Sequence, residues 1–198
     1  MAQPLPELLV PDSPAWIAWL TEHHLEHSGV LLVLAKKETV EPTSLSYDQA
    51  LEAALCHGWI DGQLMRRDEA TYRQRFTPRR ARSSWSKRNV EIVERLTAEG
   101  RMVPAGLAAV DAARADGRWE RAYGGSKDME VPPDLAAALA ANPAASASFD
   151  RLSAQNRFSI LHRIHDAKRS DTRARRIEKY VEMLADGRAP HPQKRPLN

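Results

Sequence analysis

Cysteine is nearly missing from this chain: Cys56 is the single one in 198 residues. An internal disulfide is thereby excluded, and a lone thiol fits a reducing compartment. The first ten residues hold neither a basic segment nor an apolar run of signal-peptide character, and no stretch is apolar for long enough to span a membrane. A cytoplasmic chain without a membrane span is expected. Also missing are a Gly-rich phosphate loop of the dinucleotide or P-loop type, a local Ser, His and Asp motif, and any internal repeat. These absences lower the expectation of an enzyme, and no cofactor is expected.

What is present suffices for a folded core: 42% of residues are hydrophobic, in a length that suits one domain or two small ones. The formal charge of +3 hides an uneven distribution, because between Arg66 and Arg88 nine Lys/Arg face only Asp68 and Glu69. Such a patch prefers anionic partners.

Ser13-Pro14 reads as a helix entry, with Ile17, Leu20 and His24 on one face and Gly29 as the stop. The apolar run Val30 to Ala35 reads as a buried strand, with Leu8-Leu9-Val10 as a partner. Ser46-Tyr47-Asp48-Gln49 is a capping-box pattern opening a helix that Gly58 ends. From Trp59 the period becomes two, with Trp59, Asp61 and Gln63 pointing one way and Ile60, Gly62 and Leu64 the other. Thr71 to Thr77 also alternates, and the two runs make an antiparallel hairpin.

Helices are expected over about 85–99, from Pro104 to Gly117, from Pro133, after Asn142-Pro143, over about 153–168, and over about 171–185. In the last, Ile177, Tyr180, Val181 and Leu184 form the clearest apolar stripe. The expected architecture is α+β: a small antiparallel or mixed sheet of three to four strands with covering helices over residues 1–122, then a helical domain. A linker is placed at 123–133, the helical domain at 134–188, and a mobile, proline-rich tail at 189–198.

The runs Ala54-Leu55-Cys56-His57-Gly58-Trp59-Ile60-Asp61-Gly62-Gln63, Phe76-Thr77-Pro78-Arg79-Arg80, Ser83-Ser84-Trp85-Ser86-Lys87-Arg88-Asn89 and Gly100-Arg101-Met102 resemble the YdeI/OmpD-associated family. Ala167-Lys168-Arg169, Thr172-Arg173 and Arg175-Arg176-Ile177 are similar to that family's bacteriocin-protection (OmdA) domain. The first set is the more specific in combination. The resemblance implies a bacterial protein of bacteriocin or cationic-peptide tolerance, associated with an outer-membrane porin and with no established reaction. The family description leans toward the periplasm, which the expected cytoplasmic location does not match.

The leading site reading is an anion-binding cleft built from Trp59, Asp61, Gln63, Arg79, Arg80, Ser84, Trp85, Ser86 and Asn89. Arginine forks suit phosphate or carboxylate, and a helix starting at Ser84 or Ser86 would add free amides. The bland alternative pairs one or two arginines with Asp61 and leaves the rest solvated. The partner would be a small anionic ligand or an acidic protein surface. In the enzyme alternative Asp61 is the general base for an anionic substrate. Nucleic-acid binding is the less favoured alternative; Tyr72, Phe76 and Trp85 interleave with arginines, but a strand would put Tyr72 and Phe76 on one packed face.

Three further groupings weigh less. Cys56-His57 has the residue types of a nucleophile and base, yet adjacent residues at a helix end point apart, and burial of Cys56 is the ordinary outcome. His23 and His27 lie one turn apart without a third ligand at recognisable spacing, so no metal site is expected; His162 and His165 are read the same way. Arg169, Arg173, Arg175, Arg176 and Lys179 could make a charged partner-binding face, although such faces are usually solvated.

Overall fold

A computed structural model describes residues 4–125 and 129–197. Parts of three expected segments therefore lie outside the described residues: 1–3 of the N-terminal domain, 126–128 of the linker, and 198 of the tail. The architecture is α+β, with one four-stranded mixed sheet and eight helices among the described residues. Contacts divide it into two compact units, Met1–Trp85 with Asn89–Arg121, and Ser86–Arg88 with Ala122–Asn198.

In the first unit the sheet order is β1 (Glu7–Leu8), β2 (Val30–Ala35), β4 (Thr71–Pro78), β3 (Trp59–Arg66). β1 runs parallel to β2, and the other neighbours are antiparallel. Register sets the faces: Val30, Leu32 and Leu34 stand opposite Phe76, Gln74 and Tyr72. This face meets Trp16 and Leu20 of α1 (Ser13–His23) and Ala50, Ala53 and Ala54 of α2 (Tyr47–Cys56) in one core. Asp12, not Ser13, caps α1, its carboxylate accepting from the Ala15 amide at 3.0 Å. The helix consequently turns Trp16 and Leu20 inward and leaves Ile17 exposed. Ser46 and Gln49 form the expected capping box of α2.

Strict alternation along β3 fails. A bulge between Asp61 and Leu64 shifts the pairing, so that Leu64 rather than Gln63 stands opposite Gln74. The Gln74 side-chain amide donates to the Gly62 carbonyl at 2.6 Å, which fixes the bulged backbone. Trp59 and Asp61 keep the core-side direction, and Gln63 loses it.

Two glycines join α2 to α4 (Pro104–Ala115). Gly58 has φ of 73°, and Gly106 sits so close to the end of α2 that a Cβ there would lie 2.2 Å from the Cys56 carbonyl oxygen. The Val103 amide donates to that same oxygen at 3.2 Å. Between them, α3 (Lys87–Ala98) starts two residues after Trp85, where the sequence pattern places its beginning. Arg95 and Arg101 each bond Glu52 and Glu99, tying α2 to α3 and the loop after it.

The second unit contains α5 (Pro133–Ala140), α6 (Pro143–Asp150), α7 (Ala154–His165) and α8 (Ser170–Ala185) around Leu135, Phe149, Ile160, Leu161, Ile164, Ile177 and Leu184. Asn142 and Ser153 cap α6 and α7. Residues 189–197, read from composition as part of a mobile tail, make specific contacts. Asn156 exchanges bonds of 2.9 Å with both the amide and the carbonyl of His191 and donates to Gln193, while Leu197 joins the core.

Candidate functional site

β4 runs into a tight turn after Pro78. The Arg80 amide donates to the Ser83 hydroxyl at 3.1 Å, and the Ser83 amide returns a 2.9 Å bond to the Arg80 carbonyl. The closed turn leaves the Arg80 and Arg82 side chains exposed. Arg79 points elsewhere: its guanidinium carbon lies 3.5 Å from the centre of the Trp85 ring, and its Nη1 donates to the Ser84 carbonyl at 3.3 Å. Trp85 in turn meets Trp119 edge to face at 4.9 Å, and Arg114 lies over Trp119 at 5.1 Å. The result is an Arg-Trp-Trp-Arg ladder, with each cation on an aromatic face.

Arg118 locks the ladder's surroundings. It is buried, its Nε donates to both oxygens of the Asp116 carboxylate at 2.7 and 2.8 Å, and its Nη1 donates to the Ser83 carbonyl at 3.0 Å. Trp119, Arg114, Arg118 and Asp116 were not among the residues singled out from sequence; Trp119 between two arginines was the available signal. The Trp85 indole nitrogen is buried with no hydrogen-bond partner among the described residues.

The other selected residues take separate places. Trp59 is a core residue, 1% exposed, edge-on to Trp16 and Trp19 with its indole N–H on the His24 carbonyl at 3.0 Å. Asp61 is half-buried and accepts the Tyr47 hydroxyl at 2.9 Å, a partner that a spacing of fourteen residues does not announce. Gln63 is exposed beside the bulge. Asn89 is buried in α3. Ser86 pairs with Tyr123 in the second unit. The selected set is thus distributed among core, turn and strand pairing.

The Cys56 and His57 side chains also diverge. Burial pushes the Cys56 thiol up and so disfavours thiolate. His57 directs Nδ1 to the Ala53 carbonyl at 2.8 Å, stacks its ring edge-on to His24, and sits with Nε2 3.4 Å from Thr21. Burial lowers its pKa. His23 and His27 use their rings to pack on Trp19, each 5.1 Å away, and among the described residues no group of three or more His, Cys, Asp or Glu could hold a metal. Of the three rings considered for base stacking, Phe76 and Trp85 are buried and Tyr72 is half-buried.

In the second unit much of the expected charged face is internally paired. Arg173 clamps Asp134 with two bonds, 2.5 and 2.9 Å, and also donates to the Ile164 carbonyl. Arg169 and Arg175 engage Asp171. Arg176 and Lys179 instead border a polar cleft with His162, Arg163, Asp166 and Tyr180.

A mixed sheet with covering helices and an exposed basic turn, together with a helical unit, defines an α+β protein of two compact units. The chain belongs to the family described as Domain of unknown function (DUF8412), whose model matches residues 8–109. Residues 128–187 match the model OmdA, described as Bacteriocin-protection, YdeI or OmpD-Associated. The motifs at 54–63, 76–80, 83–89 and 100–102 fall within the first match, and the basic C-terminal helices within the second. Neither a curated protein nor a solved structure matches the chain significantly. No helix among the described residues is long and apolar enough to cross a membrane.

Proposed function

We propose that the chain is a non-enzymatic bacterial stress protein of the bacteriocin or antimicrobial-peptide tolerance type, which binds a small anionic ligand or an acidic partner surface through the turn holding Arg80 and Arg82. The OmdA match over residues 128–187 is the observation that carries the tolerance reading. The anion reading draws support from the two exposed guanidinium groups on a turn closed by two hydrogen bonds. A rigid turn loses little conformational freedom on binding, so its charges act at lower entropic cost. Arg79 and Trp85 serve beneath it as packing.

Asp61 enters this reading as a structural carboxylate that holds Tyr47 at the start of α2, rather than as a base. The test is survival of a bacteriocin-sensitive host expressing the chain, scored against bacteriocin dose. Expression should raise the survival threshold, Arg80→Ala/Arg82→Ala should reduce that gain with the melting temperature unchanged, and Asp61→Asn should keep it. No gain over the empty host would overturn the tolerance reading. A gain untouched by the double substitution would remove the turn as the site.

A further inference from the structure

We propose that the cleft between α7 and α8 is a binding site for a small phosphate monoester, with Arg163, Arg176 and Lys179 holding the phosphate against the wall formed by His162 and Tyr180. The site is independent of the turn at Arg80 and Arg82 and does not rest on the function proposed for it.

The cleft holds about 400 Å³, within the range of small-molecule sites and toward its lower end. Its lining is almost wholly polar or ionisable: three permanent cations stand against one carboxylate, Asp166. A surplus of two positive charges suits a dianion better than a monoanion, and a phosphate monoester is a dianion at neutral pH. The arrangement follows from helix periodicity. His162 and Arg163 lie in the last turn of α7 with Asp166 as its C-cap, and Arg176, Lys179 and Tyr180 fall at i, i+3 and i+4 of α8.

One cation is held in place. Arg176 donates from Nη1 to the Arg163 carbonyl at the end of α7, so its guanidinium stays at the cleft wall. That carbonyl belongs to a helix C-terminus, whose partial negative charge the arginine offsets. Lys179 is exposed and adds a mobile point charge. Arg163 supplies a second planar fork from the opposite helix.

The wall is aromatic. Tyr180 is buried, and the His162 ring meets Tyr123 edge to face at 4.4 Å with Phe158 at 5.5 Å. The His162 and Tyr180 rings are the parts of the lining against which the organic part of an ester can pack, a contact that bare phosphate lacks. His162 is half-buried, and burial pulls its pKa below the ordinary histidine range, with Asp166 acting in the opposite sense. A dianion in the cleft favours the imidazolium, so the His162 titration must move upward on binding.

The experiment is calorimetric titration of the whole chain with glycerol 3-phosphate, inorganic phosphate, acetate and chloride at matched ionic strength, with the His162 ring followed by NMR. Glycerol 3-phosphate should bind saturably and more tightly than inorganic phosphate, and should raise the His162 midpoint. Arg176→Gln should weaken it about tenfold or more, as expected for the loss of a charge-assisted bond. Lys179→Gln is the second variant, because an exposed lysine can be removed without unfolding α8. A glycerol 3-phosphate signal that is abolished by Arg80→Ala/Arg82→Ala and retained in both cleft variants would place the anion at the turn and overturn the cleft. Equal effects of acetate or chloride, or wild-type affinity in both cleft variants, would overturn the site. Equal affinity for inorganic phosphate and the ester would overturn the choice of ester.

Discussion

All five tryptophans lie in the first unit and none in the second, and the two halves solve the packing problem in different ways. The first unit packs Trp16, Trp59 and Phe76 between a sheet and two helices, and stacks a second aromatic pair between arginines. Large rings bury much area each, and the indole N–H groups of Trp16 and Trp59 find backbone carbonyls. The second unit has alanine, leucine and isoleucine on helices, two of which are only eight residues long. Helices of that length are unstable alone. The Arg173 clamp on Asp134 holds α5, and Gln193 donates to the Arg151 carbonyl at the end of α6. The difference lies in the rings: in the first unit Trp59 and Trp85, both selected from sequence, become part of the packing and Arg79 lies on the Trp85 ring, whereas the helices of the second unit leave Arg176 and Lys179 at a surface cleft.

Several changes would sharpen or break this contrast. The largest effect is expected from Phe149→Ala, which empties the centre of the second core at a cost of about 3–5 kcal/mol. Far-UV circular dichroism should show the loss. Tryptophan emission reports only the first unit, so an equal shift of its unfolding midpoint would show that the two cores do not melt separately. Gly106→Ala is the counterpart in the first unit. Its new methyl meets the Cys56 carbonyl and should cost about 1–3 kcal/mol in urea unfolding followed by fluorescence. A neutral result would mean that α4 can slide away from α2.

Ser46→Ala and Asn142→Ala remove one cap in each unit, and each should cost about 1 kcal/mol. A much larger loss for Asn142→Ala would show that the short helices depend more on their caps. The smallest effect is acid sensitivity. Burial lowers the pKa of His57 in the first unit and of His162 in the second, so the fold disfavours both imidazolium forms. Their contribution is fully present above the ordinary histidine pKa of 6.5 and is lost as pH falls through the lowered folded values. Replacing either by Gln should flatten the acid limb of a stability-against-pH curve; an unchanged limb in both variants would assign it to the carboxylates.

Local order was legible because it depends on neighbours in sequence. The Ser46 box, the hairpin, the proline entries at Pro104, Pro133 and Pro143 and the apolar stripe of α8 all follow from spacing and capping chemistry. Of the candidate site, residue types were legible and places were not: Arg80 and Gln63 are exposed, whereas Trp59, Trp85 and Asn89 are buried. Residue type alone does not separate an aromatic that binds from one that packs. The motifs that looked more specific fall in the domain of unknown function, while the commoner basic-helix pattern lies where the OmdA model matches.

The sequence by itself determined the α+β class, most helix starts and the concentration of positive charge between Arg66 and Arg88, since these rest on periodicity, caps and composition. Tertiary structure alone decided the partners. Tyr47 meets Asp61, Trp85 meets Trp119, Arg118 reaches Ser83, and the Asp61/Leu64 bulge turns Gln63 out of register. Each of these joins residues by the distance between packed elements, a quantity that chain spacing does not encode.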